Sequence, residues 1–306
     1  MKKITFILLM FVSGICWSQQ LPNVSSGTIV RIEKFNSQFV TSRNVDIWLP
    51  EGYSTKKKYA VVYMHDGQSL FDSTITWNHQ SWNVSYMAAK LMQERKVRDF
   101  IVVGIWNGGN TRHSDYFPQK PFEKLTREQK DFVTEQLRQS GRTTDEFLPH
   151  SDNYLRFIVK ELKPLIDKRF HVYKNRKHTF IMGSSMGGLI SMYAICEYPG
   201  VFGGAACMST HWPGIFSIKD NPVPDVFIDY MNNHLPDHKN HLFYFDYGNK
   251  TLDSLYQPLQ MKADEVMKAK GYTDKNLLTK FFPGDDHSER SWCNRLDIPL
   301  TFLLKP

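Results

Sequence analysis

The residues best suited to chemistry lie in the run His178-Thr-Phe-Ile-Met-Gly183-Ser184-Ser185-Met186-Gly187-Gly188-Leu-Ile-Ser-Met-Tyr-Ala. A β-rich apolar segment leads into Gly-x-Ser-x-Gly, and an apolar helical pattern follows at once. A sharp strand-to-helix elbow needs this context, because the turn strains its central serine and exposes the hydroxyl. Gly183 and Gly187 carry no Cβ where the turn is tightest, and Gly188 lets the helix pack closely on the strands. A serine at a helix N-terminus also meets free N–H groups and the positive dipole end, which favour a developing oxyanion. Ser184 is a second hydroxyl, but the register of the motif makes Ser185 the candidate nucleophile.

A serine of this kind needs a base to take its proton. The candidate is His287, in the Gly/Asp-rich loop Phe281-Phe-Pro-Gly-Asp-Asp-His287-Ser-Glu289 between a strand and an apolar C-terminal helix expected from about Ser291. His234, His238 and His241 fall in a polar loop ahead of a strand and fit less well. His211 precedes every candidate acid and is expected to line the pocket. At such elbows the chain order is serine, acid, histidine, so the acid is sought after the strand Leu242 to Phe245. Asp253, beyond the strand end and turn, is favoured over Asp246, which lies nearer the strand and is expected to pin the turn. A Ser–His dyad with a remote carboxylate is a further arrangement. The turn after Val61-Val-Tyr-Met-His65-Asp66-Gly67-Gln68 supplies the second oxyanion donor, so the backbone N–H groups of Gln68 and Met186 are assigned to the hole. His65 and Asp66 lack a third ligand at metal spacing and are read as bracing their loop; no metal and no organic cofactor is expected.

Short β-rich runs alternate with helical patterns along the chain: Val45 to Leu49, Ala60 to Met64, Phe100 to Ile105, Thr179 to Met182, Ala205 to Met208, Leu242 to Phe245 and Leu277 to Phe282. The clearest helix runs from Asp152 to Lys168, with Tyr154, Phe157, Ile158, Leu162, Leu165 and Ile166 on one face. This alternation implies an α/β fold with a mostly parallel central sheet and helices on both faces. No helix separates the strands within Thr28 to Leu49, so the sheet is expected to begin as an antiparallel hairpin. Residues 118–150 break the alternation. They carry a helical pattern from Lys124 to Arg138 with a thin apolar stripe, and form either a lid over the site or a peripheral excursion. No linker divides the chain, so residues 19–306 are read as one domain.

Residues 1–18 read as a signal peptide. Lys2 and Lys3 precede an apolar run from Ile4 to Val12 too short to stay in a bilayer, and Cys16 and Ser18 are small residues at −3 and −1 before Gln19. Lipid attachment through Cys16 is the alternative. A secreted or periplasmic protein without stable membrane insertion is expected. Setting the leader aside lowers the formal charge from +7 to +5, spread along the chain with no basic face or reader motif for nucleic acid. Three cysteines remain, Cys196, Cys207 and Cys293, an odd number without framework spacing. Aromatic residues make up 14% of the chain, enough to grip rings or sugars as well as to fill a core; Trp82, His211 and Trp212 are candidate substrate contacts.

With these pieces placed, the chain resembles the putative-esterase family of α/β-hydrolases, which includes enterobactin-type siderophore esterases, feruloyl esterases and S-formylglutathione hydrolase. The resemblance covers nearly the whole chain after residue 18. It rests on Asp46-Ile-Trp-Leu-Pro-Glu-Gly-Tyr53, Tyr63-Met-His-Asp-Gly-Gln-Ser-Leu-Phe-Asp72, Gly183-Ser-Ser-Met-Gly-Gly-Leu189, Asp246-Tyr-Gly248 and Gly284 to Trp292. It implies an α/β-hydrolase fold, a triad of Ser185, His287 and a carboxylate near Asp253, and an oxyanion hole at Gln68 and Met186. Asn107-Gly-Gly-Asn-Thr-Arg112-His-Ser-Asp115-Tyr116 resembles the family's substrate loop, with Arg112 open to an anionic or hydroxyl-rich substrate. The chain departs from the family in placing Asn249, Lys250 and Thr251 after Gly248, where an acid is common, and in residues 118–150. The implied activity is hydrolysis of a carboxylic ester through an acyl-enzyme, leaning toward acetyl or feruloyl esters of carbohydrates. A siderophore ester is the rival substrate, acyl transfer the rival reaction, and a binding module with a dead site the reading of another class.

Overall fold

The computed structural model describes residues 20–306, so the expected leader at 1–18 lies outside the described residues. Strand β1 (Thr28–Phe35), β2 (Arg43–Leu49), β3 (Ala60–Met64), β4 (Phe100–Ile105), β5 (Thr179–Ser184), β6 (Gly204–Met208), β7 (Leu242–Tyr247) and β8 (Leu277–Phe281) form one sheet. Its order is β1-β2-β4-β3-β5-β6-β7-β8. The β1–β2 and β2–β4 pairs are antiparallel and every later pair is parallel. The expected antiparallel start and parallel body are both present, in the α/β-hydrolase arrangement.

The two-residue period of a strand makes two cores from one sheet. In β3, Val61 and Tyr63 enter one hydrophobic cluster while Val62 and Met64 enter the other. The same split runs through β4 to β7; in β5, for example, Ile181 faces one way and Phe180 and Met182 the other. Helix α1 (Val84–Gln93) covers the second cluster. Helices α2 (Arg127–Gln139), α3 (residues 151–169), α4 (Met186–Glu197), α5 (Val223–His234) and α6 (Gln257–Ala269) cover the first. Helices α7 (Glu289–Asn294) and α8 (Asp297–Leu303) return to the second. The middle of α3, Phe157–Leu162, is wound as a π-helix.

Two expectations change in detail. The single C-terminal helix is two, because Arg295 leaves helical geometry (φ −122°) between them and sends its side chain to Asp246 and Asp285. The 118–150 excursion is anchored more firmly than its thin stripe suggested. Thr126 and Gln129 close a capping box at the start of α2. Phe122, Leu125, Val133, Leu137 and Phe147 are all buried in the first cluster. The Phe147 ring meets Phe117, Phe122 and His113 at centroid distances of 5.2, 5.7 and 5.6 Å. Cys196, Cys207 and Cys293 are free thiols. Among the described residues, no helix is long and apolar enough to cross a membrane.

Because Phe147 pins the excursion to the core, Phe147→Ala is expected to lower unfolding free energy by about 3–5 kcal/mol. Urea denaturation measures it; a change below about 1 kcal/mol would mean that the segment is a loosely attached flap.

Candidate active site

Ser185 occupies the elbow between β5 and α4 with φ 59° and ψ −124°, in the region that side chains rarely adopt. The backbone around it holds this strain. Its N–H donates to Met208 O at 2.9 Å, and its carbonyl accepts from Leu189 and His211, each at 3.1 Å. A Cβ at Gly183 would lie 2.9 Å from the Gly187 carbonyl carbon, so the turn closes only with glycine there. Ser185 lines a cavity of about 590 Å³. Met186, Gln68 and His287 line it too, together with Trp82, Arg112 and His211. Neither the Gln68 nor the Met186 amide has an acceptor among the described residues.

His287 Nδ1 lies 2.5 Å from Asp253 Oδ1. The two loops that carry them are sewn together. His287 N donates to Thr251 Oγ1 (2.9 Å), Gly284 N to Asn249 Oδ1 (2.8 Å), and the amides of Asn249 and Lys250 to Asp285 O. Asn249, Lys250 and Thr251, the departure from the family pattern, are therefore the residues that hold the histidine loop against the acid loop.

Asp253 is completely buried, and its second oxygen is held by a determined set of donors. Oδ2 accepts from Gly248 N and Ser209 Oγ, both at 2.7 Å. The Ser209 hydroxyl has one proton and two lone pairs. Trp292 Nε1 (3.0 Å) and Arg295 Nη2 (2.9 Å) can only donate, so they occupy the lone pairs and the proton must go to Asp253. Asp246, the alternative acid, does not reach the histidine. Its carboxylate is bound by Arg295 through Nη2 (2.9 Å) and Nε (3.2 Å), and it also accepts from Ser209 N and Tyr244 OH. Burial raises the Asp246 carboxyl above its usual range despite that guanidinium.

The remaining candidates divide. Trp82 lines the cavity and packs on Trp292, ring centroids 5.5 Å apart. Trp212 is a correction: it is fully buried away from the cavity, its indole donates to Gln260 Oε1 at 2.9 Å, and its ring packs on Phe245. Being adjacent to His211 in sequence put it on the wrong side of the turn. Arg112 lines the cavity as expected, but its charge is shared with Asp66. Its Nε and Nη2 grip both oxygens of Asp66 at 2.7 and 2.8 Å. Burial works to raise the Asp66 carboxyl, but Arg112, with Asn107, holds it below the usual range. Asp66 thus braces its loop as expected, with Arg112 as the partner. His65 shares a hydrogen bond with Tyr154 OH.

Sequence reasoning missed Tyr256. Its hydroxyl lies 2.8 Å from His211 Nδ1, and its ring meets His287 edge-on. The available signal was its spacing: it follows Asp253 by one turn of the helical segment Thr251–Leu255. Among the described residues no cluster of three or more His, Cys, Asp or Glu could hold a metal.

A family model described as "Putative esterase" matches residues 37–296. The chain is 24% identical over 270 residues to the uncharacterised protein YbbA of Bacillus subtilis (strain 168), covering 86% of this chain and 92% of that one. Among solved structures it is similar to a ferulic acid esterase, with a TM-score of 0.62 and 18% identity over 90% of this chain and 98% of that chain. It is also similar to the enterochelin esterase of Shigella flexneri, with a TM-score of 0.62 and 15% identity over 93% of this chain and 59% of that chain. At these identities the structural likeness is one of fold.

Three imidazoles around the cavity are neutral. Burial brings His65 and His113 down to about 3, and His211 well below its ordinary value. In the unfolded chain each takes a proton near pH 6.5; in the folded chain His65 and His113 do so only near pH 3, and His211 only well below its ordinary value. Their stabilising effect is intact above pH 6.5 and is lost as pH falls toward 3, by up to about 1.4 kcal/mol per unit per imidazole. Urea midpoints between pH 7.5 and 4.5 are expected to drop accordingly, and less steeply in His113→Gln, which can still donate to Gly214 O. Parallel curves for the two proteins would refute the assignment.

Proposed function

The chain is a carboxylic ester hydrolase of the Putative esterase family, and from that premise we propose a serine mechanism and a class of substrate. Ser185 attacks the acyl carbonyl while His287 takes its proton, forming a tetrahedral intermediate. His287 returns the proton to the leaving alcohol, and the acyl group remains on Ser185. Water, activated by the same imidazole, then releases the acid. Asp253 fixes the ring through Nδ1, so that Nε2 is the nitrogen that handles the proton. The amides of Gln68 and Met186 stabilise the oxyanion, each worth about 3 kcal/mol to the transition state in sites of this kind. One observation carries this reading: His287, bonded at 2.5 Å to fully buried Asp253, lines the same cavity as the strained Ser185.

The proposed substrates are acetyl or feruloyl esters of carbohydrates met outside the cytoplasm. The likeness to a ferulic acid esterase and the rings of Trp77, Trp82, Phe216 and Trp292 at the cavity support this choice. Export rests on the leader pattern at residues 1–18. A siderophore ester is the second reading, favoured by the likeness to enterochelin esterase.

The mature chain is expected to hydrolyse p-nitrophenyl acetate. Ser185→Ala and His287→Ala are expected to lower kcat by about 10³-fold or more, and Asp253→Asn by about 10²–10⁴-fold. Asp246→Asn is expected to act mainly on stability, because it loosens Arg295. Turnover indifferent to Ser185→Ala would end the serine mechanism. Acetylated glycans, feruloylated glycans and siderophore esters, assayed side by side, decide the substrate.

A further inference from the structure

Two cavities meet beside Ser185. The one that contains it shares Arg112, His113 and Arg142 with a second of about 570 Å³, lined by residues 109–114 and the end of the 118–150 excursion. Only one of the three shared residues brings an uncommitted charge. Arg112 is held by Asp66, and His113 is neutral with its Nε2 on Gly214 O. The Arg142 side chain has no ion pair or hydrogen bond among the described residues. Its guanidinium lies 5.3 Å from the centroid of the Phe216 ring.

That position faces the ester site. Phe216 is 44% exposed, lines the cavity and packs on His211 at a centroid distance of 5.5 Å. The positive charge of Arg142 is felt at both His113 and His211. His211 adds a second unmet group, since its buried Nε2 has no partner. In the tautomer whose Nδ1 accepts from the Tyr256 phenol, the neutral ring carries its proton on Nε2, a donor without an acceptor. Of the other charges lining these cavities, Glu289 lines the ester cavity and accepts from the Asn78 amide, and Glu146 is paired with Arg127. Asp145 also lines the second cavity but not the first, so the free positive charge belongs to the shared rim.

We propose that Arg142, Phe216 and His211 form a subsite for an acidic group, and that the natural ester carries a carboxylate bound there. This deepens the hydrolase reading and rests on it. The carboxylate pairs with Arg142 over the Phe216 ring and accepts from His211 Nε2, while the ester carbonyl lies at Ser185. A carboxylate on the acyl part and one on the alcohol part, as in a uronic acid, offer the same chemistry.

Two probe pairs distinguish these sources. Mono-4-nitrophenyl adipate against 4-nitrophenyl hexanoate tests the acyl side, and 4-acetoxybenzoate against 4-acetoxybenzamide tests the alcohol side. The readout is the kcat/KM ratio of anionic to neutral probe, which a general folding defect leaves unmoved. In one pair Arg142→Ala is expected to lower the ratio about fivefold. Arg142→Glu should lower it further, Arg142→Lys should retain most of it, and added salt should shrink the wild-type ratio. Ser185-dependent turnover with both ratios indifferent to Arg142→Glu overturns the subsite and leaves the hydrolase standing. Absence of Ser185-dependent turnover on every probe overturns the hydrolase reading, and the subsite with it.

Discussion

The constraint on which the site depends is the complete burial of the Asp253 carboxyl group. A buried carboxylate without donors costs several kcal/mol, so its surroundings must supply them. They do so in layers. His287 Nδ1, Gly248 N and Ser209 Oγ touch the carboxylate; Trp292 and Arg295 fix the Ser209 proton; Asp246 and Asp285 hold Arg295. The break between α7 and α8 follows from the same demand, since Arg295 must leave the helix to reach these carboxylates. Trp292 serves twice, because its ring also meets His287 edge-on at 5.0 Å. The histidine on its mobile-looking Gly/Asp loop is therefore held from three sides.

Charge at the cavity is arranged on the same principle of local neutralisation. Asp66 closes on Arg112, and burial keeps His65, His113 and His211 neutral. In the proposed reaction, a proton moving between Ser185 and His287 thus meets few competing charges. Glu289, bonded to Asn78, and Arg142, lying on an aromatic ring at the rim, are the exceptions, and the uncommitted cation is the one that carries information about substrate.

The fold was legible because each buried strand is a short β-rich run, and the elbow because glycine is required where a Cβ would lie within 3 Å of neighbouring backbone. Ser185 and His287 could be named as candidates from motif and loop position alone. Asp253 over Asp246 was a matter of reach past a turn, and Arg295, almost 50 residues along the chain from Asp246, gave no local signal of claiming that acid. Trp212 was misjudged, and the pairing of Arg112 was not foreseen, for a related reason. Sequence gives a side chain's type and place, but not whether Asp66 or Gln260 has already taken its donors. Tyr256 was signalled only by its one-turn spacing from Asp253, and Arg142 meets Phe216 through packing between distant segments, where no periodicity points.

The most direct test of this account is reaction of residues 19–306 with a fluorophosphonate, followed by mass-spectrometric location of the adduct. The account predicts a single adduct on Ser185, formed at least about tenfold more slowly in Ser209→Ala, where the Asp253 carboxylate loses a donor and the imidazole its fixed orientation. An adduct on Ser184 or elsewhere, no adduct at all, or a labelling rate unaffected by Ser209→Ala would contradict it.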